Sequence, residues 1–165
     1  MAFDAFIQLD GIKGESTDDK HKDWLEILSY GFGAQQSQSG TASSAGSLAS
    51  ARVNIQNFTF THNLDIASPK LFEYCCNGKT IPKVTINLNR AGGDKQKYME
   101  YKLTDVIVTS VGKGGDSKSD HHDVPMEAVS LAFAKIEMTY TKIGIDGKAA
   151  GNASAGWDLK ANKQV

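Results

Sequence analysis

Apolar residues recur at every second position through most of this chain, and at helical spacing in only one short segment. That period restricts the fold more than any other feature. Period two places successive side chains on opposite faces of a strand, so the chain must bury one face of a sheet. No strand–helix alternation accompanies it, which argues against a mixed α/β layer. An antiparallel barrel or sandwich is the natural class. At 165 residues the chain suffices for one domain, 1–165, and needs no disulfide or metal to hold a core.

Phe3 to Leu9 reads as the first strand, and Gly11 to Lys22 as a polar connection. In Asp23 to Phe32, Trp24, Leu28, Tyr30 and Phe32 share one face; Leu25, Ile27, Ser29, Gly31 and Gly33 share the other. The second face runs from apolar to small, which suits a surface that something else passes or packs against. Arg52 to Ile66 changes phase, from Val53 and Ile55 to Phe58, Phe60, Leu64 and Ile66. This predicts a bulge near Gln56-Asn57. The helix is expected over about 68–77. Ser68 is its cap, Pro69 lies in its first turn, Leu71, Phe72, Cys75 and Cys76 form its apolar stripe, and Asn77-Gly78 is its stop.

Lys83 to Arg90, turned by Ala91-Gly92-Gly93-Asp94, pairs with Gln96 to Val111 as a hairpin. Val124 to Ile143 is the longest strand, and its phase shift predicts another bulge near Ala134-Lys135. Gly144 to Gly156 reads as a second Gly/Ala-rich loop, and Trp157 to Ala161 as a closing strand. About seven strands and one helix result.

Gly33 to Ala51 stands apart: nineteen residues without a charge, with Leu48 the one large apolar side chain. Loops of this length inside a domain are usually functional or disordered. A solvated linker uses charge to stay extended. Small, uncharged residues suit a segment that lies against a partner.

The formal net charge of −1 gives no long-range attraction for nucleic acid or an anionic membrane. The N-terminal Met1-Ala2-Phe3-Asp4 lacks a basic region and an apolar core, so no cleaved signal peptide is expected. The apolar runs are too short to span a bilayer. Cys75 and Cys76 are adjacent and read as a buried reduced pair on the helix rather than a redox site.

Asp120-His121-His122-Asp123 is the tempting metal cluster, but four consecutive residues splay apart where ligands must converge. Gly112 to Lys118 lacks the spacing and the following helix of a phosphate loop. His21 and His62 have no nucleophile beside them and read as structural. Trp24, Trp157, Tyr30 and Tyr140 could form a sugar platform, but each lies on or beside an apolar strand face and reads as core. A monomeric β-sandwich carbohydrate module and a metal enzyme at His121 and His122 remain the alternatives to an assembly protein.

Met1 to Ile7 with Gly11-Ile12-Lys13-Gly14-Glu15-Ser16 resembles the start of the Hcp family, the haemolysin-coregulated proteins of type VI secretion systems. Val53 to Phe60 resembles its middle strand, Ser68-Pro69-Lys70-Leu71 its helix start, Arg90-Ala91-Gly92-Gly93 its hairpin, and Gly156-Trp157-Asp158-Leu159 its closing strand. The similarity runs from end to end in order and spacing. It implies a small antiparallel β-barrel of two curled sheets with one flanking helix, like phage tail tubes. It further implies a homohexameric ring that stacks into a secreted inner tube and binds and protects effectors in its lumen. The implied partners are copies of itself, the sheath, a spike protein and effectors, with no nucleic acid and no membrane insertion. Neither catalysis nor a cofactor is implied. The protein would be cytoplasmic before firing and then secreted.

By position, Ser29 and Gly31 are expected to face the lumen. Loop 33–51, with Gly33, Gln35, Gln36, Gln38 and Leu48, is expected to contact a neighbouring subunit or ring.

Overall fold

The computed structural model describes residues 3–39, 49–92, 94–115, 117 and 124–165. Thirteen strands and one helix follow in chain order: β1 (Phe3–Leu9), β2 (Leu25–Ile27), β3 (Ser29–Gly31), β4 (Ala34–Gln35), β5 (Gln38–Ser39), β6 (Ala49–Ser50), β7 (Asn54–Ile55), β8 (Phe58–Asn63), α1 (Ser68–Asn77), β9 (Ile81–Arg90), β10 (Lys97–Gly114), β11 (Met126–Ile143), β12 (Ala149–Asp158) and β13 (Lys163–Gln164). The fold is mainly β, as the period-two pattern predicts.

Nine strands form one antiparallel sheet in the order β13-β12-β11-β10-β9-β1-β2, with β8 joining β11 to β3. The long strands β10 and β11 are its spine. β11 divides its second edge: Met126 to Leu131 pair with β8, and Lys135 to Ile143 pair with β12. The sheet curls so far that β2, beside β1, runs straight into β3, beside β8; the Leu28 N–H donates to Thr61 O at 2.7 Å.

The curl follows from phase breaks in the sequence. On β10, Tyr101 and Leu103 point inward, then Val106 and Val108 do; between them Asp105 has φ 52°. On β11 the inward set passes from Phe133 to Ile136 at the matching level, where both strands skip one residue and the register is kept; the bulge expected near Ala134-Lys135 is absent there, and the ladder's register shift falls between Val108 and Ser110 of β10. Each break bends its strand and lets one ladder serve two sheet faces. The predicted break at Gln56-Asn57 separates β7 from β8.

Ile7, Leu25, Phe58, Phe60, Ile81, Ile86, Leu103 and Leu131 fill the interior. α1 closes one side through Ser68, Leu71 and Tyr74. Burial of Leu71 alone contributes roughly 1.5–3 kcal/mol. Gly78, at φ 64°, ends the helix as expected, and its N–H donates to Tyr74 O.

The outer face of β9 is covered by residues 13–24. A Cβ on Gly14 would lie 2.4 Å from Trp24 O, so only glycine permits this approach. Buried His21 stacks on Phe6 at 4.2 Å and lies within hydrogen-bond distance of Asp18 (2.8 Å) and Asn87 (3.1 Å). Lys95 Nζ reaches Asp18 at 2.6 Å and ties this strap to the β9–β10 turn.

Several local expectations change. Residues 23–32 are two strands rather than one, and Leu28, at their junction, is exposed; the phase reverses there, so Leu25 and Ile27 enter the core while Ser29 and Gly31, expected on the same face, point outward. β8 ends at Asn63, which leaves Ile66 exposed. Ser68 does not cap α1: its hydroxyl accepts the Asp65 N–H, while Asp65 Oδ1 accepts the Ala67 N–H. Of the predicted helix stripe, Leu71 is buried and Cys75 half-buried, but Phe72 and Cys76 are exposed. Tyr140 is exposed too. Residues 149–156 are strand, paired along β11, rather than loop.

Candidate functional site

β3, β8, β11 and the second half of β10 turn one common face outward. Ser29 and Gly31 lie on it, opposite Thr61 and Thr59. Across the next ladder, Thr59 faces Ser130. The face is a lattice of hydroxyls that satisfy one another. Ser29 Oγ and Thr61 Oγ1 are 2.5 Å apart, and Thr59 donates to Gly31 O at 3.1 Å. Thr109 donates to Ser130 O at 3.0 Å, and Asn57 Nδ2 donates to both hydroxyls at 3.3 Å.

A shallow cavity of about 400 Å³ opens here, and its lining, from Ser29 and Gly31 to Ser110 and Ser130, includes no charged residue. Aromatic rings set its floor from behind: Tyr30 and Phe32 both stack on Phe58 at 5.7 Å. Such a surface offers hydrogen bonds and shape but no nucleophile, base or metal ligand set.

The uncharged segment leaves this face as a two-stranded arm. β4 pairs with β7, and β5 pairs with β6 further out. At the root, the Gln56 N–H donates to Gly33 O at 2.8 Å, and a Cβ on Gly33 would come within 3.0 Å of Gln56 Oε1. Gln36 Nε2 donates to Ala51 O across the arm, and the Arg52 guanidinium donates to Leu159 O. Gln35 is exposed opposite Asn54. Gln38 pairs with Ser50 through the backbone, and Leu48 lies outside the described residues. Beside the root a cavity of about 580 Å³ is lined by Phe32, Val53, Ile55, Ile136, Met138 and Trp157.

The structure therefore brings Ser29 and Gly31 together on one face and places Gly33 and Gln36 in the bracing of the arm root. Asn57, Thr59, Thr61, Thr109 and Ser130 complete the face, and sequence reasoning did not single them out. Thr59 and Thr61 were signalled by the polar phase between Phe58, Phe60 and His62.

One buried ionic group lies under the start of α1. His62 Nε2 is 2.8 Å from Glu127 Oε2, and both side chains are fully buried. Lys113 Nζ approaches Glu127 Oε1 at 3.5 Å, and Asp65 Oδ2 lies 3.8 Å from His62 Nδ1. Burial pushes the Asp65 carboxyl above its usual range, against the pull of His62. The His62–Glu127 pair is fully buried, while Lys113, at the rim of the group, is exposed to solvent. The rejected cluster Asp120 to Asp123 lies outside the described residues; no grouping of metal-binding side chains occurs among those described. Nor is any described helix long and apolar enough to cross a membrane.

Residues 6–140 match the family described as "Type VI secretion system effector, Hcp". The hcp1 protein of Pseudomonas aeruginosa is 34% identical over the full length of both chains. Among solved structures, Hcp1 from Salmonella typhimurium shares 37% identity with a TM-score of 0.82, covering both chains completely. A structure described as a type six secretion system protein superposes with a TM-score of 0.92 at 33% identity, covering 99% of this chain and 100% of its own. These similarities leave the carbohydrate-module alternative without support. With a mainly β curled sheet, one flanking helix and this agreement over its whole length, the chain belongs to the Hcp family and is a structural tube subunit of the type VI secretion system.

Proposed function

We propose that six copies of this chain close into a ring whose channel is lined by the hydroxyl face, and that rings stack into the secreted inner tube. The observation that carries this reading is an unpaired sheet edge beside that face: among the described residues β3 pairs only with β8. On the far side, β9 pairs with β10 only as far as Val106, and beyond that α1 packs against β10, with Lys113 Nζ donating to Ser68 O at 3.3 Å. An unpaired edge is a template for another chain, and its meeting with a different surface of the neighbour gives a head-to-tail contact that closes when its rotation permits.

In this reading Ser29, Gly31, Thr59, Thr61 and Ser130 meet effectors, and the arm with Gly33, Gln35, Gln36, Gln38 and Leu48 reaches a neighbouring subunit or ring. The chain acts by binding and enclosure, without catalysis or cofactor. Its partners are its own copies, the sheath, the spike and effectors, not nucleic acid or lipid. It resides in the cytoplasm until firing and is then secreted. Negative-stain imaging of purified protein tests the reading: hollow rings of six-fold symmetry are expected, and a monomer at all concentrations contradicts it.

A further inference from the structure

The strap over β9, residues 13–24, closes on itself through its backbone. Gly14 N–H donates to Asp23 O at 2.8 Å, Ser16 N–H to Trp24 O at 3.0 Å, and Trp24 N–H to His21 O at 3.1 Å. Its one buried ring is His21, which lies flat on Phe6 of β1 and stands nearly perpendicular to Trp24 at 4.8 Å. Nδ1 of that ring lies 2.8 Å from Asp18 Oδ2, and Lys95 Nζ takes the other oxygen, Oδ1, at 2.6 Å. A carboxylate only accepts, so Nδ1 carries a proton.

The buried amide of Asn87 on β9 decides the other nitrogen. With its oxygen 3.1 Å from His21 Nε2, its nitrogen donates to Ile86 O and to Glu100 Oε2 on β10, each at 3.3 Å. Reversed, its oxygen faces both of those acceptors. The satisfied orientation sets Nε2 opposite an acceptor, so Nε2 carries a proton as well. An imidazole with two ring protons is a cation, and the face of Phe6 suits a cation. The charged groups that face it are Asp18 on the strap, Lys95 on the β9–β10 turn and Glu100 on β10, reached through Asn87 and paired with Lys97 and Lys102. Asp4 on β1 and Glu26 on β2 act on Lys95 from further away.

We infer that the strap is a proton-held clasp: His21 sits in the folded subunit as an imidazolium bonded at both nitrogens, and loss of one proton releases the strap from β9. A neutral ring satisfies neither orientation of Asn87. In one, two lone pairs meet between Nε2 and the amide oxygen; in the other, the amide oxygen meets Ile86 O and the Glu100 carboxylate. Buried groups left in that state are costly. The clasp is therefore closed while the ring is protonated and opens as pH rises. The segment it frees runs straight into β2, at the end of the sheet.

Nitrogen-15 NMR of full-length protein labelled at histidine, with His21 assigned from its backbone, tests the clasp. At about pH 7.5, where a free imidazole is mostly neutral, both ring nitrogens of His21 should carry a proton. Up to about pH 9.5 Asp18 and Glu100 stay ionised and Lys95 stays charged, so among the groups at the clasp the ring alone changes state. Over that rise the hydrogen-exchange protection of the Gly14, Ser16 and Trp24 amides should fall about tenfold or more relative to the amides of β9. In His21→Gln the same amides should be less protected, with no such dependence on pH. A single ring proton at about pH 7.5, protection that stays level to about pH 9.5, or a wild-type pH profile in His21→Gln overturns the clasp. Should His21→Gln not fold, the two wild-type measurements decide.

Discussion

A Cβ placed on Gly31 meets only the Thr59 hydroxyl, at 3.6 Å, so a larger side chain fits and projects from the hydroxyl face. Gly31→Leu should therefore leave the subunit folded and rings intact while it reduces effector co-purification severalfold; undiminished co-purification contradicts the lumen assignment. At Asp18 the consequence is for stability. The Lys95 ammonium, then His21, hold its carboxyl well below the usual carboxylate range. A depressed carboxylate contributes stability above its unfolded value, near 3.9, and loses it as pH falls through the folded value. Asp18→Asn should lower Tm by a few degrees at neutral pH, with the gap from wild type shrinking below about pH 3.9 and closing under the folded value; a gap independent of pH contradicts this. Faces that follow from unbroken alternation were legible in the sequence, as for Phe58 and Phe60; the face of Ser29 and Gly31 was not, because the phase reverses at Leu28. Glu127 was not, because its partner His62 lies on another strand and only the ladder brings them to 2.8 Å.

The arm and β12 show what an element's composition reveals and conceals. The uncharged stretch from Gly33 stands out by its residues, yet its pairing as a ribbon from β4–β7 to β5–β6 does not. Deleting residues 34–52 and joining the ends with a short Gly/Ser linker should spare the subunit core, since none of the fully buried large side chains among the described residues lies there. Columns, or ring stability, should suffer; tube formation equal to wild type would reduce the arm to a passive linker. β12 reads as loop from Ala149 to Gly156 because Ala, Gly, Asn and Ser have low strand propensity. It is strand because β11 offers it a complete ladder, and such tertiary pairing was invisible locally. The helix bounds were legible from Pro69 and Gly78. Its buried face was misjudged because Tyr74, not Phe72, meets the core.

For the whole molecule, the decisive property is that the sheet curls but, among the described residues, leaves the β3 edge unpaired beside an uncharged, self-satisfied face. The curl was legible from the phase changes at Gln56-Asn57 and Ala134-Lys135; the unpaired edge was not, because it depends on β3 pairing with β8 alone. In the ring proposed above, an uncharged lining whose hydroxyls already bond one another would hold cargo weakly and without regard to its charge. A subunit of net charge −1 stacks many times without strong self-repulsion. The most direct test is a reconstruction of the assembled ring by electron cryomicroscopy. The predicted result is six subunits, β3 of each against a neighbouring subunit, with Ser29, Thr59, Thr61 and Ser130 facing the channel. A ring with those hydroxyls on its outer wall, or with the β3 edge open to solvent, would contradict the account.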